Sequence, residues 1–121
     1  MLRSMMQVYL KGSIEASELY QKAFGAALLN EYKDENGCYI HAELNVFGQI
    51  LAISEANAKC VIGNTMQFCF HMGEGSESII ARTYDMLKDG ADISHPLGPC
   101  FYSPCMFELV DKFGVNWCLF V

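Results

Sequence analysis

The chain repeats itself. Tyr20-Gln-Lys-Ala-Phe-Gly25 is followed by Glu43-Leu44 and Phe47-Gly48; Tyr84-Asp-Met-Leu-Lys-Asp-Gly90 is followed by Glu108-Leu109 and Phe113-Gly114. The spacing from Tyr20 to Glu43 is 23 positions and from Tyr84 to Glu108 is 24, a period of 64 to 66. That is too long, and two copies too few, for a solenoid. The pattern predicts a pseudo-symmetric domain of two copies of one folding unit, with a groove shared between them.

The 121 residues suit one domain with a real core. A net charge of −6 and only eight Lys and Arg, with no basic run, speak against nucleic acid as a partner. No apolar stretch approaches the roughly 20 residues needed to span a bilayer, so no membrane role is expected. The first residues lack a signal-peptide layout. The six cysteines form no Cys-x-x-Cys pair, and several lie in strand-like runs. We read them as reduced, structural thiols of a cytoplasmic protein.

Periodicity places the elements. A first strand covers residues 5 to 11. A helix follows, with Ser13 as its cap, Ala16, Leu19, Tyr20, Ala23 and Phe24 on its apolar face, and Gly25 as its stop. Strands are expected at Ala27 to Tyr32, Tyr39 to Val46 and Ile50 to Ser54, with Asp34 to Gly37 as a hairpin turn. Alternation in the third strand puts Ile40, Ala42, Leu44 and Val46 on one face and Tyr39, His41, Glu43 and Asn45 on the other. The second half repeats the order. Thr65 to Met72 is a strand with Met66, Phe68, Phe70 and Met72 on one face. A helix carries Ile79, Ile80, Thr83, Tyr84 and Leu87, and a short strand covers Ala91 to Ser94. His95 to Pro104 holds all three prolines and reads as a stiff loop, with Phe101 and Tyr102 as lid or interface aromatics. Cys105 to Val110 and Val115 to Val121 are the last strands. The fold class is α+β, two tandem βαβββ modules at about 1–60 and 61–121 in a single domain.

This doubled order, together with Ala16 to Gly25, His41-Ala-Glu-Leu44, Ile53-Ser-Glu55 and Asp111-Lys-Phe-Gly-Val-Asn-Trp117, resembles the vicinal oxygen chelate superfamily of glyoxalases, bleomycin-resistance proteins and dioxygenases, and most closely its PhnB-like branch. The resemblance implies a cup-shaped, mostly antiparallel sheet, a homodimer, and a ligand on the concave face. It also implies metal ligands at four places, which here are Met5, Ala52, Gln67 and Cys118. Three of those four are poor or impossible ligands for a hard or borderline cation. No cofactor is therefore expected. Without a Gly-rich loop after a strand, methyltransferase chemistry has little support either.

His41 and Glu43 lie two apart on a strand and share a face. They suit a metal pair, an acid and base, or a polar strand face. Glu108 is the repeat-mate of Glu43, but Met106 replaces His41. Gln7, Tyr9, Ser54, Gln67 and Cys69 are expected on the same side, giving a mildly polar pocket for an unidentified small molecule. Cys69 lacks the electropositive setting that makes a thiolate reactive. Trp117 faces opposite to Cys118 and belongs to the core. Two functions follow. One is metal-independent binding of a small molecule at Gln7, Tyr9, His41, Glu43, Ser54, Gln67, Cys69, Glu108 and Cys118. The other is a metal-dependent lyase or dioxygenase built from His41, Glu43 and a further residue such as Glu108 or Cys118.

Overall fold

The computed structural model describes residues 1–121, which divide into two compact units, Met1–Val61 and Ile62–Val121. The first unit contains β1 (Met6–Leu10), α1 (Ser13–Phe24), β2 (Ala27–Lys33), β3 (Tyr39–Val46) and β4 (Gln49–Glu55). The second contains β5 (Phe68–His71), α2 (Glu77–Leu87), β6 (Asp92–Cys100), β7 (Ser103–Val110) and β8 (Asn116–Phe120). Each unit is βαβββ. Its first strand runs parallel to its last, and the sheet orders are β1-β4-β3-β2 and β5-β8-β7-β6.

In the first unit Ala16, Tyr20, Ala23 and Phe24 of α1 are buried, as are Ala42, Leu44, Val46, Leu51 and Ile53 of the sheet. Ser13 is not the helix cap the sequence suggests. Gly12 holds the N-cap position in a left-handed conformation, and the Glu55 carboxylate does the capping. It accepts the Gly12 and Ser13 amides at 3.0 Å each and the Ser13 hydroxyl at 2.7 Å. A negative group there meets the positive end of the helix and its free N–H donors. Ser13 Oγ is left to accept the Tyr39 amide. Gly25 ends the helix in the left-handed region, as expected.

Alternation in β3 holds from His41 onward and fails before it. Tyr32 pairs with His41, but Lys33 pairs with Tyr39, so Ile40 is an extra residue on β3. This β-bulge reverses the facing of what precedes it. Tyr39 is buried and bonds Glu31 through its hydroxyl, whereas Ile40 is 61% exposed. A second bulge, at Leu29 of β2, brings Asn30 opposite Glu43.

The core of the second unit joins Ile80, Thr83 and Leu87 of α2 to Phe107, Leu109, Trp117 and Leu119. Phe68 and Phe70 pack their rings on Trp117 at 5.2 and 6.0 Å, while Met66, expected beside them, is exposed. The segment His95 to Pro104 is not a loop. Residues through Cys100 extend β6, which pairs with β7 through three register shifts, and Phe101-Tyr102 is the hairpin turn. Pro96 and Pro99 are tolerated because β6 is an edge strand, where a missing N–H breaks no inner ladder.

Candidate functional site

Register sets one row of side chains across each sheet. In the first unit Asn30, Glu43, Ala52 and Gln7 stand side by side on β2, β3, β4 and β1. His41 and Ser54 lie two residues along on the same face, with Tyr32 opposite His41 and Tyr9 opposite Ser54. The expected residues Gln7, Tyr9, His41, Glu43 and Ser54 therefore share a face. Gln7 Nε2 donates to Ser54 Oγ at 3.1 Å, and Tyr9 is exposed.

Glu43 is the centre of this row and is only 5% exposed. Arg3 grips it with both terminal nitrogens, Nη1 to Oε1 at 2.6 Å and Nη2 to Oε2 at 3.0 Å. His41 Nε2 lies 2.8 Å from Oε2. The hydrogen bonds from Arg3, then those from His41, hold the Glu43 carboxyl down at about 2. An ionised carboxylate only accepts, so His41 donates its Nε2 proton to Glu43. Beside Glu43, the Asn30 side-chain oxygen is buried with no hydrogen-bond partner.

In the second unit the matching row is Cys69, Cys118, Glu108 and His95, on β5, β8, β7 and β6. Ala52 and Cys118 thus occupy equivalent places, each opposite a Glu. Gln67 lies outside β5 and donates to Asn116 Oδ1 at 3.2 Å. Cys118 is buried and Cys69 exposed. Burial, then the neighbouring Cys69 thiol, pushes the Cys118 thiol up, so it is no nucleophile at neutral pH. Of the implied ligand positions, Met5 is half-buried and Ala52 fully buried. Within neither unit do three or more His, Cys, Asp or Glu gather in a way that could hold a metal ion.

The Asp111 to Trp117 motif has a structural use. Asp111 Oδ1 accepts the amides of Phe113 and Val115, and Oδ2 accepts the Trp117 indole N–H at 2.8 Å. The carboxylate ties the β7–β8 turn to the core tryptophan. Asp34 closes the β2–β3 turn likewise, through the amides of Asn36 and Cys38.

The architecture matches solved proteins along nearly its whole length. A PhnB protein from Bacillus cereus is 23% identical, with 98% of each chain covered and a TM-score of 0.82. Protein PA1353 from Pseudomonas aeruginosa is 21% identical over 99% of this chain and 97% of that one, at 0.79. The fosfomycin resistance protein FosX from Listeria monocytogenes is 13% identical over 98% and 91%, at 0.72. The chain has the vicinal oxygen chelate fold. FosX has also been solved with Mn(II) and sulfate. No family model and no curated protein matches the sequence.

Sequence reasoning missed Arg3 and Asn30. Arg3 lies before the first strand, where no periodicity speaks for it. The available signal was chemical: a carboxylate in a sheet of this apolar content needs a cationic partner, and Arg3 is the one basic residue ahead of Lys11.

Proposed function

We propose that this chain is a PhnB-like small-molecule-binding protein that works without a hard or borderline metal cation. In this reading the two units are modules of one functional domain over residues 1–121. The observation that carries it is the buried, unpartnered Asn30 oxygen standing next to a Glu43 already held by Arg3 and His41. A buried acceptor without a partner costs free energy until a donor reaches it. His41, Ser54 and Gln7 stand on the same face. These groups suit a neutral ligand bearing hydroxyl or amide N–H donors. In the second unit Cys69, Glu108 and Cys118 line the corresponding row, and Gln67 flanks it.

Mn(II) in FosX favours a second reading, metal-dependent chemistry at His41 and Glu43 with Glu108 or Cys118. It requires Glu43 to give up both Arg3 bonds and the His41 bond, which the low carboxyl pKa opposes. We further propose a cytoplasmic homodimer. No helix is long and apolar enough to cross a membrane. The exposed Leu28, Leu29 and Tyr32 of edge strand β2 supply apolar surface for a second copy.

The test is a screen of neutral hydroxyl- and amide-bearing fragments, read by NMR shifts of the His41 ring and Asn30 side-chain amide. Fragments that move both and lose affinity in Asn30→Ala support the proposal. Fragments that bind equally well to Asn30→Ala, or none that move these groups, overturn it.

A further inference from the structure

The second unit places two thiols side by side where the fold needs none. Cys69 and Cys118 are direct partners on adjacent parallel strands, so both side chains leave the same face. The first unit has Gln7 and Ala52 at the equivalent pair. The βαβββ frame therefore accepts residues without sulfur at both positions. Neighbouring strands lie ~4.8 Å apart. Side chains that leave one face at that separation can meet at a single ion. No third His, Cys, Asp or Glu completes a metal-binding group here, which excludes the four-coordinate geometry that Zn2+ requires. Thiolates select soft ions, and Cu(I) is the soft ion content with two. Cys69 is exposed and gives an incoming ion its point of entry; Cys118 is buried and fixes the inner ligand. The Tyr102 and Phe120 rings meet edge to face at 5.5 Å.

We infer that Cys69 and Cys118 form a two-coordinate thiolate site for Cu(I). Binding replaces two S–H bonds by two S–Cu bonds and releases two protons; copper stays Cu(I), and no oxidant is needed. The site shares Cys69 and Cys118 with the second-unit row of the proposed pocket but no residue of the Asn30–His41 face on which that reading is tested, so either proposal can fail alone.

The experiment titrates the reduced full chain with Cu(I) under anaerobic conditions against a colorimetric Cu(I) chelator. It compares the native chain with a variant in which Cys38, Cys60, Cys100 and Cys105 are all serine. We expect that variant to keep one Cu(I) per chain and a thiolate-to-copper band in the ultraviolet. Adding Cys69→Ser, or Cys118→Ala to copy the alanine at the equivalent position 52, should weaken binding at least ~100-fold. Cys69 is exposed, so its serine variant tests the idea even if the Cys118 variant fails to fold. Loss of the ion in the four-serine variant, or its retention after Cys69→Ser, would overturn the assignment.

Discussion

Arg3 reaches across 40 positions of sequence to hold both carboxylate oxygens of Glu43. The bond keeps Glu43 ionised, so the carboxylate accepts from both Arg3 and His41. Arg3 itself is half exposed, so solvent screens part of the gain. Removing it should destabilise the folded chain at neutral pH. The Glu43 carboxyl is lowered from its ordinary 4.5 to about 2. Its contribution to stability is therefore complete above the unfolded pKa and is lost as pH falls through the folded one. Urea denaturation of native chain and Arg3→Ala should differ most above about pH 5 and converge toward pH 2. A gap independent of pH would contradict this.

Glu55 caps α1 from the end of β4, so it ties a helix to a strand 42 residues away. Glu55→Ala removes three hydrogen bonds and the charge at the helix end, and should cost about 2 kcal/mol. Glu55→Gln keeps one acceptor and should lose about half as much. Thermal unfolding of the three proteins at neutral pH measures the order.

Asp111 and Trp117 give a built-in optical reporter, since the chain has one tryptophan and it is fully buried. Asp111→Ala strips three donors of their acceptor and should destabilise by about 3 kcal/mol. Asp111→Asn retains the shape and should cost less. Under native conditions the Asp111→Ala emission should shift to the red as the indole N–H meets water. An unshifted spectrum with unchanged stability would remove the turn-to-core role.

The internal repeat was legible because its punctuation is chemical. Phe47-Gly48 and Phe113-Gly114 both require left-handed glycine, with φ of 86° and 88°. The strands between them carry period-2 apolar residues. Helix ends, turn residues and the shared face of Gln7, Tyr9, His41, Glu43 and Ser54 followed from the same local rules. What escaped depends on pairing. The bulge at Ile40 is invisible until β2 supplies a register, and it alone exchanges the faces of Tyr39 and Ile40. Prolines in β6 imitate a loop unless one knows that the strand is an edge. Ser13 looks like a cap until Glu55 arrives from β4. Arg3 and Asn30 became site residues only through Glu43, a partner 40 and 13 residues away in sequence.

Binding without a hard or borderline cation is checked at its root by the metal content of protein purified without chelator. With Glu43 sequestered by Arg3 and His41, Mn, Fe, Ni and Zn should each stay far below one equivalent per chain, before and after incubation with the ion and gel filtration. One tightly held equivalent of any of them, lost in His41→Ala, would contradict that reading.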